Sequence, residues 1–265
     1  MKSSKPNLQP NYGNWVPIRL LFMLLAVTLL FAVLLILSFV NTWTWPWTAL
    51  IVALIAISTG FLCYMCLLFR TFSFSGGRLM GKVHEHLVSR LNWDGHGRLL
   101  DVGCGAGALT IRCAKKFPEA LCTGIDYWGI KWDYSQQMCQ HNAEVENVAN
   151  RCTFQHGDAN HLDFNDETFD AVVSNFVYHE INDGKGREQL LRETLRVLRK
   201  GGCFALQDLF GQRTFYGDVH KIIDSLRVDA VAEIHYHNSA KEIPIPSWMQ
   251  MPGMMSGVGI IYGIK

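Results

Sequence analysis

The chain has 265 residues, a formal net charge of +1 and 49% apolar residues, figures that fit one folded unit or two until position is considered. Near-neutrality, with no basic run in the polar two-thirds of the chain, excludes nucleic acid as the main partner, because gripping phosphates takes a concentrated basic surface. Eight cysteines scattered from Cys63 to Cys203 lack the spacing of a zinc ribbon or a secreted disulfide scaffold and fit a reducing compartment.

Residues 1–19 read as a short N-terminal tail. From Leu20 to Val40 the chain carries 21 residues without a charge, which at about 1.5 Å rise per residue matches a hydrocarbon core of about 30 Å. A second uncharged stretch of equal length runs from Ala49 to Phe69. Only Asn41 to Thr48 separate them, so residues 20–69 are expected to form a transmembrane helical hairpin with both ends on one side. Lys2, Lys5 and Arg19 precede the hairpin and Arg70, Arg78 and Lys82 follow it, whereas the connection has no charge. That asymmetry predicts a two-pass integral membrane protein whose N terminus and remaining domain are cytoplasmic. Trp43, Trp45 and Trp47 suit the headgroup layer and Pro46 a turn. A cleaved signal peptide or a buried helical pair would show similar apolarity, but the first run is long and a second follows. Cys63 and Cys66 have redox-motif spacing inside an apolar helix; packing, lipidation and redox chemistry stay open.

Residues 70–265 read as one folded domain, with Phe72 to Gly77 as a hinge. A helix is predicted over Leu79 to Trp93 from Leu79, Val83, Leu87 and Leu91. Strands follow at Arg98–Val102, Leu121–Ile125, Cys152–His156, Phe169–Ser174, Cys203–Leu206, Val231–Tyr236 and Gly257–Ile264. Helices are expected over Ala106–Lys116, Tyr134–Glu146, Arg187–Arg199 and Asp218–Leu226. Strands alternating with helices imply an α/β fold with a mainly parallel seven-stranded sheet covered on both faces. The last two strands lack an intervening helix and should form an antiparallel edge hairpin.

The strongest chemical signal is Leu99-Leu100-Asp101-Val102-Gly103-Cys104-Gly105-Ala106-Gly107, a buried strand running into a glycine turn and then a helix. Glycines permit positive φ and close approach of backbone to a ligand. Asp101 stands two residues before the first glycine, where a carboxylate suits a cationic amino-acid tail better than a pyrophosphate. The third glycine comes too early for the dinucleotide fingerprint, and no P-loop lysine follows. Asp126 ends the next strand, at the place where such folds put a carboxylate on ribose hydroxyls; a strand-end cap is its other reading.

With these residues the chain resembles the class I S-adenosylmethionine-dependent methyltransferases, and the resemblance covers nearly everything from about Gly77 onward. It implies a Rossmann-like fold and S-adenosyl-L-methionine as cofactor. Asp101, Gly103, Cys104, Gly105 and Gly107 would cradle the methionine part, Asp126 the ribose, and Tyr127 the adenosine. Gly157-Asp158-Ala159 resembles the family's element after the third strand, where Asp158 would accept from the adenine amino group. Phe169 to Ile181 resembles the fourth-strand motif, and Leu191 to Phe210 the helix, glycine pair and fifth strand. The arrangement is similar to that of small-molecule members such as the ubiquinone and menaquinone biosynthesis methyltransferases, from which the N-terminal hairpin sets this chain apart.

Methyl transfer from a sulfonium is an in-line displacement that needs positioning and exclusion of water rather than a protein nucleophile. If the acceptor must lose a proton, Tyr178, His179 and Glu180 after the fourth strand are the candidates, with Tyr178 and His179 named as catalytic; a capping role for His179 and Glu180 stays open. Asn175 at that strand's end either touches the cofactor or is structural, and Gln207 and Asp208 end the fifth strand near the same crevice. The aromatic run from Tyr127 and Trp128 through Trp132 to Tyr134 would wall a pocket or pack in the core. The remaining histidines show no metal-ligand grouping, so no metal is expected. The hairpin points to a small, hydrophobic or lipidic methyl acceptor, and the stretch Pro244 to Met255 reads as a lid or membrane-contacting flap. A membrane regulator that binds S-adenosylmethionine without methylating, and a nicotinamide-dependent oxidoreductase, are the rival readings. The acceptor atom, the membrane and the oligomeric state are not set by the sequence.

Overall fold

The structure, a computed structural model, describes residues 9–74, 78–129, 134–181, 186–229, 231–251 and 254–265. The chain divides into two compact units. One comprises Gly13–Met80, the other Gly81–Lys265 together with the N-terminal residues up to Tyr12.

The first unit is a pair of long helices, α1 (Ile18–Val40) and α2 (Trp45–Phe72). Both are long and apolar enough to cross a membrane. Large apolar side chains such as Phe22, Leu30, Ile36 and Ile57 are exposed on them. Apart from Arg19 at the start of α1 and Arg70 in the last turn of α2, the two helices carry no charged side chain. The connection is tighter than the sequence implies. It shrinks to Asn41–Thr44, with Thr42 in the left-handed region (φ 49°), and Trp45 and Trp47 belong to the first turn of α2. Pro46 sits in that first turn, where its missing N–H costs nothing. The expected Phe72–Gly77 hinge begins inside α2, and residues 75–77 lie outside the described set.

The second unit is built on a seven-stranded sheet. Its strands are β1 (Gly97–Val102), β2 (Ala120–Asp126), β3 (Cys152–His156), β4 (Phe169–Asn175), β5 (Leu198–Asp208), β6 (Glu233–Asn238) and β7 (Gly259–Ile264). They lie in the order β3-β2-β1-β4-β5-β7-β6, parallel except for β7, which runs antiparallel to both its neighbours. The expected edge hairpin is therefore present, and the reversal of strand order between β1 and β4 opens a crevice at their carboxyl ends.

The helices are α3 (Leu79–Ser89), α4 (Ala108–Lys116), α5 (Gln136–Val145), α6 (Arg187–Arg196), the short α7 (Arg213–Tyr216) and α8 (Val219–Asp229). Period-two alternation along β1 and β4 sends Leu100, Val102 and Val172 to one face and Leu99, Ala171 and Val173 to the other. The first face packs against Leu190, Leu191 and Leu195 of α6 and Ile222, Ile223 and Leu226 of α8. The second packs against Leu87 and Val88 of α3, Leu109 and Ile111 of α4, and Cys139 and Ala143 of α5.

Boundaries shift for local reasons. The helix expected over Arg187–Arg199 stops at Arg196, because Val197 and Leu198 are fully buried in the core and strand β5 starts there, running through the Gly201-Gly202 pair. The helix expected from Tyr134 starts at Gln136, capped by Ser135, whose hydroxyl accepts from the Met138 N–H.

Candidate cofactor and acceptor site

The glycine turn is positioned by its attachment to β2. The Gly103 and Cys104 N–H groups both donate to the Ile125 carbonyl, at 2.8 and 2.9 Å. Gly103 has φ +75°, and a Cβ there would meet Val177 at 2.1 Å. Its side is thus filled by the loop after β4, so glycine is demanded by packing as well as by conformation. Gly105 differs: at φ +56° it is left-handed, yet a Cβ there would only graze the Tyr134 ring at 3.4 Å. A Cβ on Gly107 would meet the Phe154 ring at 3.0 Å. Of the three glycines, Gly105 is the one whose missing side chain leaves room beside the turn.

Two acids flank this turn, at the ends of adjacent parallel strands. Asp101 is buried; its Oδ2 accepts from the Thr110 hydroxyl at 2.6 Å, and its Oδ1 is buried without a hydrogen-bond partner. Burial pushes its carboxyl up to about 7, the Thr110 hydroxyl opposes this, and the Asp126 charge adds to it. Asp126 accepts from the Gly105 N–H on Oδ2 and from the Trp128 N–H on Oδ1, each at 2.8 Å. Each carboxylate oxygen has a second lone pair, so the capacity to accept from a diol remains. Trp128 and Cys139 brace the turn from behind, the indole N–H and the thiol both donating to the Gly105 carbonyl at 2.9 and 3.1 Å.

The remaining expected cofactor residues line up along the same strand ends. Tyr127 is exposed and lies 5.1 Å, centroid to centroid, from the His156 ring. Asp158 is exposed and folds into a turn in which its Oδ1 accepts from the backbone and side-chain amides of Asn160, both at 2.9 Å. Ala159 is buried, and Cys104 is buried beside Cys139. Asn175 ends β4 in register with Gln207 of β5, and Asn175 Oδ1 and Gln207 Oε1 are buried without a partner. Buried acceptor oxygens cost free energy unless a donor reaches them. Those of Asp101 and Asn175 fit an ammonium group.

On the far side of β4 the arrangement departs from expectation. Tyr178 and His179 both lie in a single 3₁₀ turn, Tyr178–Glu180. Tyr178 is fully buried with its hydroxyl 3.0 Å from the Thr194 hydroxyl, and burial raises its ionisation well above the ordinary value. Named with His179 as a catalytic candidate, it is placed by the structure in the core, with its hydroxyl against Thr194. His179 instead keeps an exposed edge, with Nδ1 donating to Asp208 Oδ1 at 2.6 Å and Nε2 3.4 Å from Glu180 Oε1. Asp208, fully buried, also accepts from the His179 and Leu209 backbone N–H groups. Burial alone would pull the imidazolium down, but the hydrogen bonds and charges of Asp208 and Glu180 outweigh it and lift His179 to about 9. The ring sits between Phe176 and Phe215, at centroid distances of 6.2 and 5.6 Å.

The pairing of His179 with Asp208 escapes sequence reasoning, because 29 positions separate the two and only the β4–β5 register joins them. Trp132 lies outside the described residues. The Pro244–Met255 stretch is anchored by buried Ile245, Met249 and Met255, while residues 252–253 lie outside the described set.

Residues 100–206 match the family described as "Methyltransferase domain". The chain is 30% identical over 129 residues to methyltransferase GfsG of Streptomyces halstedii, covering 48% of this chain and 43% of that protein. It is 28% identical over 161 residues to the demethylmenaquinone methyltransferase of Roseiflexus castenholzii, covering 57% and 63%. Haemonchus contortus phosphoethanolamine N-methyltransferase 2, solved in complex with S-adenosyl-L-methionine, shares the fold. Its TM-score is 0.52 at 18% identity, over 69% of this chain and 52% of that one. The chain spans about half the length of the curated relatives it matches. With the sheet order and the turn flanked by Asp101 and Asp126, residues 100–206 are thus similar to a methyltransferase domain, and the second unit has the Rossmann-like fold of solved methyltransferases.

Proposed function

We propose that the chain is a two-pass membrane-anchored methyltransferase that transfers a methyl group from S-adenosylmethionine to a small, hydrophobic or lipidic acceptor at the cytoplasmic face. The observation that carries the reading is the pair Asp101 and Asp126 on either side of the glycine turn, with the inner oxygen of Asp101 buried and awaiting a donor. When bound, S-adenosylmethionine supplies an electrophilic methyl on a sulfonium. Asp101 and Asn175 hold the ammonium of the amino-acid tail, Asp126 takes the ribose hydroxyls, and Tyr127 and Asp158 face the adenosine. Gly105 leaves the space in which the backbone approaches.

His179 orients the acceptor from the other side, its ring fixed by Asp208 at 2.6 Å. At neutral pH His179 is held as the imidazolium, so it donates a hydrogen bond rather than taking a proton. Any acceptor that must be deprotonated therefore turns over faster as pH rises toward about 9. Anchoring supports a lipidic acceptor because α1 and α2 expose apolar side chains along their length, while Arg19, Arg70 and Arg78 flank the pair on the side expected to be cytoplasmic.

Full-length protein incubated with membrane extract and methyl-labelled S-adenosylmethionine tests the reading. Label in the organic phase supports a lipidic acceptor, and label in the aqueous phase confines the hairpin to localisation. Cofactor binding without any labelled product would reduce the protein to a binder of S-adenosylmethionine. Release of the chain from membranes by alkaline carbonate would remove the two-pass anchor.

A further inference from the structure

Residues 9–12, which precede the first apolar helix by a short connection, belong to the unit built on the sheet rather than to the unit of the helices. Asn142, fully buried in the second half of α5, binds this segment as a backbone clamp. Its Oδ1 accepts from the Asn11 N–H at 2.8 Å and its Nδ2 donates to the Asn11 carbonyl at 2.8 Å. The same Nδ2 donates to the carbonyl of Ala106, inside the glycine turn, at 2.9 Å. One residue further on, the Tyr12 hydroxyl donates to Glu146 Oε1 at 3.0 Å, while Lys115 of α4 holds the other oxygen of that carboxylate. The Tyr12 ring packs against the core cluster formed by α4, α5 and β2.

A single buried amide thus uses both of its donors and its acceptor to join three pieces of chain: the N-terminal segment, α5 and the cofactor turn. A buried amide that loses one partner leaves a polar atom unsatisfied, so the three pieces are expected to hold or loosen together. We infer that residues 9–12 form a strap that steadies the glycine turn through Asn142 and thereby sets the affinity for the cofactor, with Asn142 as a positioning residue. The inference rests on the cofactor reading of that turn. Only residues 13–17 connect Tyr12 to the start of α1, so the strap is also where a pull from the apolar helices would reach the cofactor turn.

The test uses the full chain in detergent micelles, with S-adenosylhomocysteine as probe and titration calorimetry as readout. The double variant Asn11→Pro, Tyr12→Phe removes the Asn11 N–H and the Tyr12 hydroxyl but leaves the bond from Asn142 to Ala106 in place. Its Kd should rise about fivefold, the equivalent of about 1 kcal/mol. Asn11→Ala keeps both backbone bonds to Asn142 and should raise the Kd less than the double variant does. Because coupling is reciprocal, the probe should in turn slow amide hydrogen exchange at Asn11 in the parent chain, which a purely structural strap would not show. A double-variant Kd within twofold of the parent, or exchange at Asn11 indifferent to the probe, overturns the strap. A parent chain that fails to bind the probe overturns the cofactor reading and the strap with it.

Discussion

Replacing Asp208 by Asn isolates the charge that sets the state of His179. Asp208 is fully buried, and its carboxylate lies 2.6 Å from Nδ1 of a ring that is 16% exposed, so solvent screens the pair little. The imidazole is raised from an ordinary 6.5 to about 9, a difference worth about 3 kcal/mol at roughly 1.36 kcal/mol per unit. Because the folded-state value is the higher one, this stabilisation is complete below pH 6.5 and disappears as pH rises through about 9. Glu180 supplies part of it, so Asp208→Asn should cost about 2 kcal/mol at pH 6 relative to its cost at pH 10. Equilibrium denaturation of both proteins at the two pH values measures this. Titration of the His179 Cε1 resonance, assigned by its loss in His179→Gln, should show the midpoint falling from about 9 in the parent by about 1.5 pH units in the variant, the equivalent of that roughly 2 kcal/mol. A parent midpoint near 6.5, or a variant midpoint left near 9, would refute the pairing as the cause.

The carboxyl of Asp101, raised to about 7 by burial, should make affinity for S-adenosylhomocysteine fall as pH drops below that value. The loss approaches about tenfold per pH unit in calorimetric titrations, whereas Asp101→Asn should bind weakly with no such slope. Gly103→Ala places a Cβ 2.1 Å from Val177 at a positive φ. It should lower stability by about 2–4 kcal/mol from overpacking and backbone strain together, read by denaturant titration, and weaken cofactor binding. Tyr178→Phe should keep methyl-transfer turnover within about twofold of the parent while losing about 1 kcal/mol of stability with the hydroxyl contact to Thr194. A large loss of turnover without loss of stability would favour a catalytic Tyr178.

The sheet was legible because its signals are local. Apolar runs such as Leu99–Val102 and Phe169–Ser174 are bounded by turn residues, and their order with the intervening helices dictates the parallel topology. The glycine turn and the two acids were equally legible, since each stands at a strand end that the apolar pattern marks. What the pattern does not carry is which side chains meet across strands or over the turn. Val177 filling the space at Gly103, Trp128 and Cys139 holding the Gly105 carbonyl, and Asp208 holding His179 all depend on three-dimensional placement of residues distant in sequence. Helix ends depart from the sequence pattern where burial overrides propensity, as at Val197 and Leu198, which lie in the core beyond the end of α6. A tyrosine beside a histidine reads as a polar pair, although successive residues of the 3₁₀ turn point in different directions, so that Tyr178 is buried while His179 and Glu180 keep exposed edges.

The most direct measurement is the affinity of the full chain for S-adenosylhomocysteine by isothermal titration, for the parent and for Asp101→Ala combined with Asp126→Ala. Binding by the parent and a loss of at least about a hundredfold in the double variant, the scale of two charge-assisted contacts, is the predicted result. A double variant that binds as tightly as the parent, while remaining folded, would contradict the placement of the cofactor between these two strands.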